Sequence, residues 1–150
     1  MIYAILIGCL FSCSNDGMGE FDNINTSDAI KGMFNKFAAQ AKKEGLGCKL
    51  KYDARALEGF WIMDGRLIED DSLKSIYSNW DKHNKLVSYT LRDVHVFPIN
   101  MTNAVYHYQS EIVYTDSTEV EKTLKQLESG VVTKSGNNWY YLNGNTSNVN

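Results

Sequence analysis

Residues 85–98, KLVSYTLRDVHVFP, and residues 104–115, AVYHYQSEIVYT, decide the fold. Each is long, rich in β-branched and aromatic residues, and alternates in polarity with the period of two expected of a half-buried strand. Asn100–Asn103 reads as the turn between them. In the first, alternation places Tyr89, Leu91, Asp93, His95 and Phe97 on one side. In the second, Ala104, Tyr106, Tyr108, Ile112 and Tyr114 form the more apolar face, and His107, Gln109 and Glu111 the one suited to water.

Downstream the pattern repeats. Asp116-Ser117 makes the next turn, EVEKTLKQLESGVVTK (119–134) the next strand, Ser135-Gly136-Asn137-Asn138 another turn, and WYYLNG (139–144) the last strand. The tail TSNVN reads as frayed, with 148–150 outside the domain. Trp139 is expected in the core.

Upstream the period changes. In NTSDAIKGMFNKFAAQAKKEG (25–45), Ile30, Met33, Phe34, Phe37, Ala38 and Ala41 recur at helical spacing. Thr26, Ser27 and Asp28 mark the start, and Gly45 follows Lys42 and Lys43 at the end. GFWIMDGRLIE (59–69) sets Asp64-Gly65 between two short apolar arms, a hairpin signal. SLKSIYSNWDKH (72–83) then places Leu73, Ile76, Tyr77 and Trp80 on one helical face. Helices followed by a run of antiparallel strands give an α+β class.

Composition limits the functions available. The chain of 150 residues suits one domain, and a net charge of −3 supplies no broad field for nucleic acid or an anionic bilayer. His83, His95 and His107 are isolated, so no metal site is expected. The sequence contains neither a glycine-rich phosphate loop nor a Gly-x-Ser-x-Gly elbow, and no cofactor is expected.

The apolar run Ile2–Phe11 is too short to cross a bilayer as a helix but suits a signal peptide. Leu10-Phe11-Ser12-Cys13 and Leu6-Ile7-Gly8-Cys9 both resemble the bacterial lipobox. Cys13 is the expected lipidation site and Cys9 the second choice, with residues 14–24 as a flexible tether to a domain spanning 25–147. The location implied is the bacterial cell envelope, with membrane contact only through the lipid. No Lys or Arg precedes the run, which departs from the usual signal pattern, and a buried N-terminal strand or helix is the alternative. Removal of the leader leaves Cys48 as the only cysteine, excluding an intramolecular disulfide.

The order of helix, short hairpin, helix and long strands resembles the nuclear transport factor 2-like superfamily, particularly its bacterial SnoaL-like branch. The residues that carry the resemblance are Asp64-Gly65-Arg66 before the second helix, Thr102-Asn103-Ala104-Val105 opening a strand, and Gly136-Asn137-Asn138-Trp139 through Ser147. The resemblance implies a cone-shaped, strongly curved antiparallel sheet packed on N-terminal helices, a cystatin-like fold with a pocket at its wide end. It also implies a range of functions, from isomerases, dehydratases and hydrolases to binding modules. Many relatives carry histidine near the final strand, where this chain has Asn143 and Asn145.

Three functions remain open. The first is an envelope-anchored binding domain for a small apolar or ring-containing ligand, its pocket lined by Tyr89, Tyr106, Tyr108, Trp61 and Tyr77. The second is an isomerase or dehydratase using Asp93 and His95 as acid and base, with a tyrosine hydroxyl donating to the oxyanion. The third is a module that homodimerises through its sheet. The aromatic stripes Phe34/Phe37 and Tyr77/Trp80 are expected to fill the narrow end of the cone.

Overall fold

The computed structural model describes residues 22–54 and 60–149. The leader with Cys9 and Cys13 lies outside the described residues. The order is α1 (Asn23–Glu44), a 3₁₀ turn (Leu46–Tyr52), β1 (Phe60–Met63), β2 (Arg66–Ile68), α2 (Asp70–His83), β3 (Asn84–Pro98), β4 (Asn103–Asp116), β5 (Glu121–Ser135) and β6 (Asn138–Asn148).

The helix α1 forms where the spacing predicts it, burying Ile30, Met33, Phe34, Phe37 and Ala41 along one stripe. Its start differs from the expected one. The N-cap is Asp22, whose carboxylate accepts from the backbone N–H of Ile24 (3.1 Å) and Asn25 (2.9 Å), so the helix begins within the segment read as a tether. Its end is Gly45, at φ 87°, where the Gly45 N–H reaches back to the Ala41 carbonyl at 2.8 Å.

The six strands form one open sheet in the order β2-β1-β6-β5-β4-β3. Every pairing is antiparallel except β1 with β6, which is parallel, so the sheet is mixed rather than wholly antiparallel. The expected hairpin is present: Asp64 and Gly65, both at positive φ, close β1 onto β2. The tail is paired rather than frayed. Gln126 and Leu127 face Asn148 and Ser147, and the Val149 N–H bonds to the Lys125 carbonyl at 2.9 Å.

The sheet curves because its strands are unequal. Between Leu86 and Ser88, and again between Arg92 and His95, β3 carries one residue more than β4 opposite it, and β6 carries an extra residue against β5 beside Val131. Each bulge lengthens one strand and increases the local bend. The concave face wraps α1, with Phe34 packed among Tyr106, Tyr108 and Tyr141 at centroid distances of 5.1 to 5.5 Å. Trp139 lies in this core, as expected.

Candidate functional site

Six elements bring the site together. The 3₁₀ turn is held by Asp81 of α2, whose carboxylate accepts from the Leu46 and Gly47 N–H groups, both at 2.8 Å. That anchor directs Lys49 under the sheet. In β4 and β5, Tyr106 faces Gly130 and Tyr108 faces Glu128, so the two phenols and the carboxylate share the concave face. Beside them Trp61 of β1 lies over Gly144 of β6, directly opposite in register.

Glu128 and Lys49, only 2% and 5% exposed, form a buried ion pair through Glu128 Oε2. Glu128 Oε1 accepts from the Tyr108 hydroxyl at 2.6 Å and the Tyr106 hydroxyl at 3.0 Å, and the Tyr108 and Tyr141 hydroxyls are 3.3 Å apart. Lys49 Nζ lies 4.2 Å from the Trp61 ring centroid, 4.9 Å from that of Tyr141 and 5.7 Å from that of Phe37. The ammonium is thus paired with the Glu128 carboxylate and flanked by aromatic faces. Desolvation dominates and holds the Lys49 pKa below the ordinary lysine value, while Glu128 pulls it upward. Burial, reinforced by the Glu128 charge, pushes the Tyr89, Tyr106, Tyr108 and Tyr141 phenols well above their ordinary value, so they are neutral donors.

The ion pair forms the floor of a cavity of about 220 Å³. Phe37, Tyr77, Trp80, Tyr89, Ile112 and Met63 line its wall. At its polar edge the side chains are already paired with one another. Gln126 Nε2 donates to Asn148 Oδ1 at 3.2 Å, and the Asn148 side-chain amide donates to Asp64 at 3.2 Å. An engineered cavity of about 150 Å³ holds benzene. This one has room for a single ring with a small substituent.

Of the residues expected in the pocket, Tyr89 and Tyr77 line it, whereas Trp61, Tyr106 and Tyr108 lie below it, supporting the ion pair. Phe37 and Trp80, expected at the narrow end, form part of the pocket wall beside Tyr77, which was expected at both places. The structure does not bring Asp93 or His95 to this cavity. Asp93 sits in the second β3 bulge at φ 50°, and the extra residue reverses the alternation beyond it. Val94 and Val96 therefore pack on the core, while His95 turns to the outer face and stacks on His107 at 4.6 Å. Asn143 accepts from the Val131 N–H at 3.1 Å and Asn145 is exposed, and neither lines the cavity.

Lys49 and Glu128 are the site residues that the sequence reading missed. Glu128 had a usable signal: it shares strand parity with Leu124 and Gln126, which puts a carboxylate on the inward face of β5. Lys49 lies in a short 3₁₀ turn without any periodic pattern.

No family profile matches the sequence, and no curated protein does. Solved structures match the fold. A nuclear transport factor 2-like protein of unknown function from Prochlorococcus sp. NATL2A superposes with a TM-score of 0.68 at 14% identity, covering 83% of this chain and 94% of its own. A protein provisionally assigned as a scytalone dehydratase, from Novosphingobium aromaticivorans, gives 0.71 at 11% identity over 84% and 85%. A ketosteroid isomerase-like protein from Erwinia carotovora atroseptica gives 0.56 at 17% identity over 89% and 99%. The chain therefore has the α+β, nuclear transport factor 2-like and cystatin-like fold, with an aromatic pocket over a buried lysine–glutamate pair.

Proposed function

We propose that this domain binds a small, mostly apolar, ring-containing ligand in the cavity above Lys49 and Glu128. The observation that carries the reading is the division of the cavity into an aromatic wall and a polar floor whose groups already satisfy one another. Such a surface favours an apolar occupant, because both Glu128 oxygens are already engaged within the floor. The acid–base pair of the isomerase or dehydratase reading, Asp93 and His95, lies elsewhere. Thermal-shift measurements with ethylbenzene, indane and similar single-ring compounds test the proposal. A ligand at 100 times its dissociation constant raises stability by about 2.7 kcal/mol. The absence of stabilisation by any of them at millimolar concentration refutes it.

The lipobox-like stretch supports placing the domain on the bacterial envelope through lipid on Cys13. Membrane partition that is lost in Cys13→Ser supports this location, and an unmodified Met1 on soluble native protein refutes it. A homodimer through the outer sheet face is supported by Phe97 and Val105, which pair across β3 and β4 while 55% and 40% exposed. Light scattering of Phe97→Lys against the parent chain tests that contact, and an unchanged mass refutes it.

A further inference from the structure

We propose that Lys49 captures aldehydes covalently, as a protonated imine whose counter-ion is Glu128. The inference rests on the pocket reading above and names the chemical class of the occupant. Among the described residues that line the cavity Lys49 is the only amine, and the space beside it admits one ring.

The geometry suits imine formation for a reason of charge. An ordinary covalent change at a buried lysine removes its positive charge and leaves the partner carboxylate uncompensated. An iminium retains one positive charge and one N–H at the same nitrogen. Glu128 Oε2 keeps its partner, and the Trp61 and Tyr141 faces keep a cation before them. Tyr106 and Tyr108 hold Glu128 Oε1 in place throughout.

The steps balance. The Lys49 ammonium passes a proton to Glu128, freeing the nitrogen lone pair, which attacks the carbonyl carbon of the aldehyde as the C=O π pair moves to oxygen. Proton transfer within the adduct gives a neutral carbinolamine. Glu128 returns its proton to the carbinolamine hydroxyl, water leaves, and the nitrogen lone pair forms the C=N bond. The products are the iminium, the Glu128 carboxylate and one water. Desolvation by the aromatic wall favours the free amine that the attack requires, while the ion pair opposes it.

The test is reductive trapping on the full chain. Benzaldehyde and sodium cyanoborohydride are added at neutral pH, and peptide mass spectrometry follows benzylation at Lys49 and at the exposed Lys51 and Lys122. The expected result is labelling of Lys49 at least about tenfold faster than of Lys51, because the pocket holds the aldehyde beside the amine. Ethylbenzene, which fills the pocket without reacting, slows Lys49 labelling and leaves Lys51 unchanged. Lys49→Arg retains the positive charge and gives no adduct at position 49, with its fold checked by circular dichroism. Labelling of Lys51 and Lys122 with Lys49 untouched overturns the proposal. Where ethylbenzene still raises the melting temperature in that case, the binding reading stands and only the covalent step fails. Where no single-ring compound stabilises the protein, both fall together.

Discussion

Replacing Glu128 by Gln removes the negative charge paired with a lysine that is itself buried. The amide retains a carbonyl oxygen that can accept from Tyr106 and Tyr108, but its NH₂ then faces the Lys49 ammonium, donor against donor. Breaking a buried pair from one side costs about 3 to 5 kcal/mol. The structure supplies an independent bound, since Lys49 can escape by losing its proton. Deprotonating a lysine of ordinary pKa near 10.4 at pH 7 costs about 4.6 kcal/mol, so the deficit cannot greatly exceed that.

The pH dependence follows from that proton loss. With Lys49 neutral in the folded variant and charged in the unfolded chain, the unfolded state binds more protons and stability rises with pH. The deficit relative to the parent falls by about 1.4 kcal/mol per pH unit, to about 2 kcal/mol at pH 9. Urea denaturation at pH 7, 8 and 9 measures both quantities. The double variant Lys49→Met/Glu128→Gln removes both charges and recovers most of the loss. A deficit below about 1 kcal/mol at pH 7, or one that does not change with pH, refutes the assignment of an uncompensated buried lysine.

At Gly144 an added Cβ falls 2.2 Å from Cζ3 of Trp61, and the indole is also packed against Lys49 Nζ, 4.2 Å from its centroid, so Gly144→Ala costs at least about 1 to 3 kcal/mol in urea denaturation and weakens single-ring binding; a neutral outcome means that the ring is free to move. Trp139→Ala costs about 3 to 5 kcal/mol by the same assay, and a loss below about 1 kcal/mol makes β6 peripheral. Burial raises the Cys48 thiol to about 11 from 9.0, so it resists alkylation at pH 8 in the folded protein. Its raised value contributes stability that is full below pH 9 and is lost as pH rises to about 11; thiol labelling at pH 8 as fast as in urea refutes the burial. Asp93→Asn and His95→Gln, on the outer face, each change stability by less than about 0.5 kcal/mol and leave ligand stabilisation intact, which thermal shift checks.

The elements readable from the sequence are those whose signal is repeated. Five apolar residues of α1 point the same way, and the loss of one would leave the helical face recognisable. In β4 the inward set Ala104, Tyr106, Tyr108 and Ile112 is unbroken, because β4 pairs with β5 without a bulge along its whole length. Asp64-Gly65 announces its hairpin through the positive φ that both positions require. The parallel junction of β1 with β6 had no such signal. It depends on where a four-residue strand docks, and a short apolar arm carries no information about its neighbour's direction.

The site depends on single-residue offsets. One extra residue at Asp93 sends His95 to the outer face, because a strand's two faces alternate at every step. The only local hint is the residue type, since aspartate is among the few non-glycine residues that enter the left-handed region readily, and alternation counted by eye passes over it. Glu128 presents the opposite problem. Its inward parity is regular and legible, but a carboxylate there is interpretable only once its partners are known. Two are phenols on the neighbouring strand, and the third is a lysine 79 residues earlier, in a turn without periodicity. The same bulges that spoil the count on β3 bend the sheet around α1 and help give the concave face its depth. The irregularity that hides the site from the sequence and the curvature that creates the pocket are therefore one structural feature.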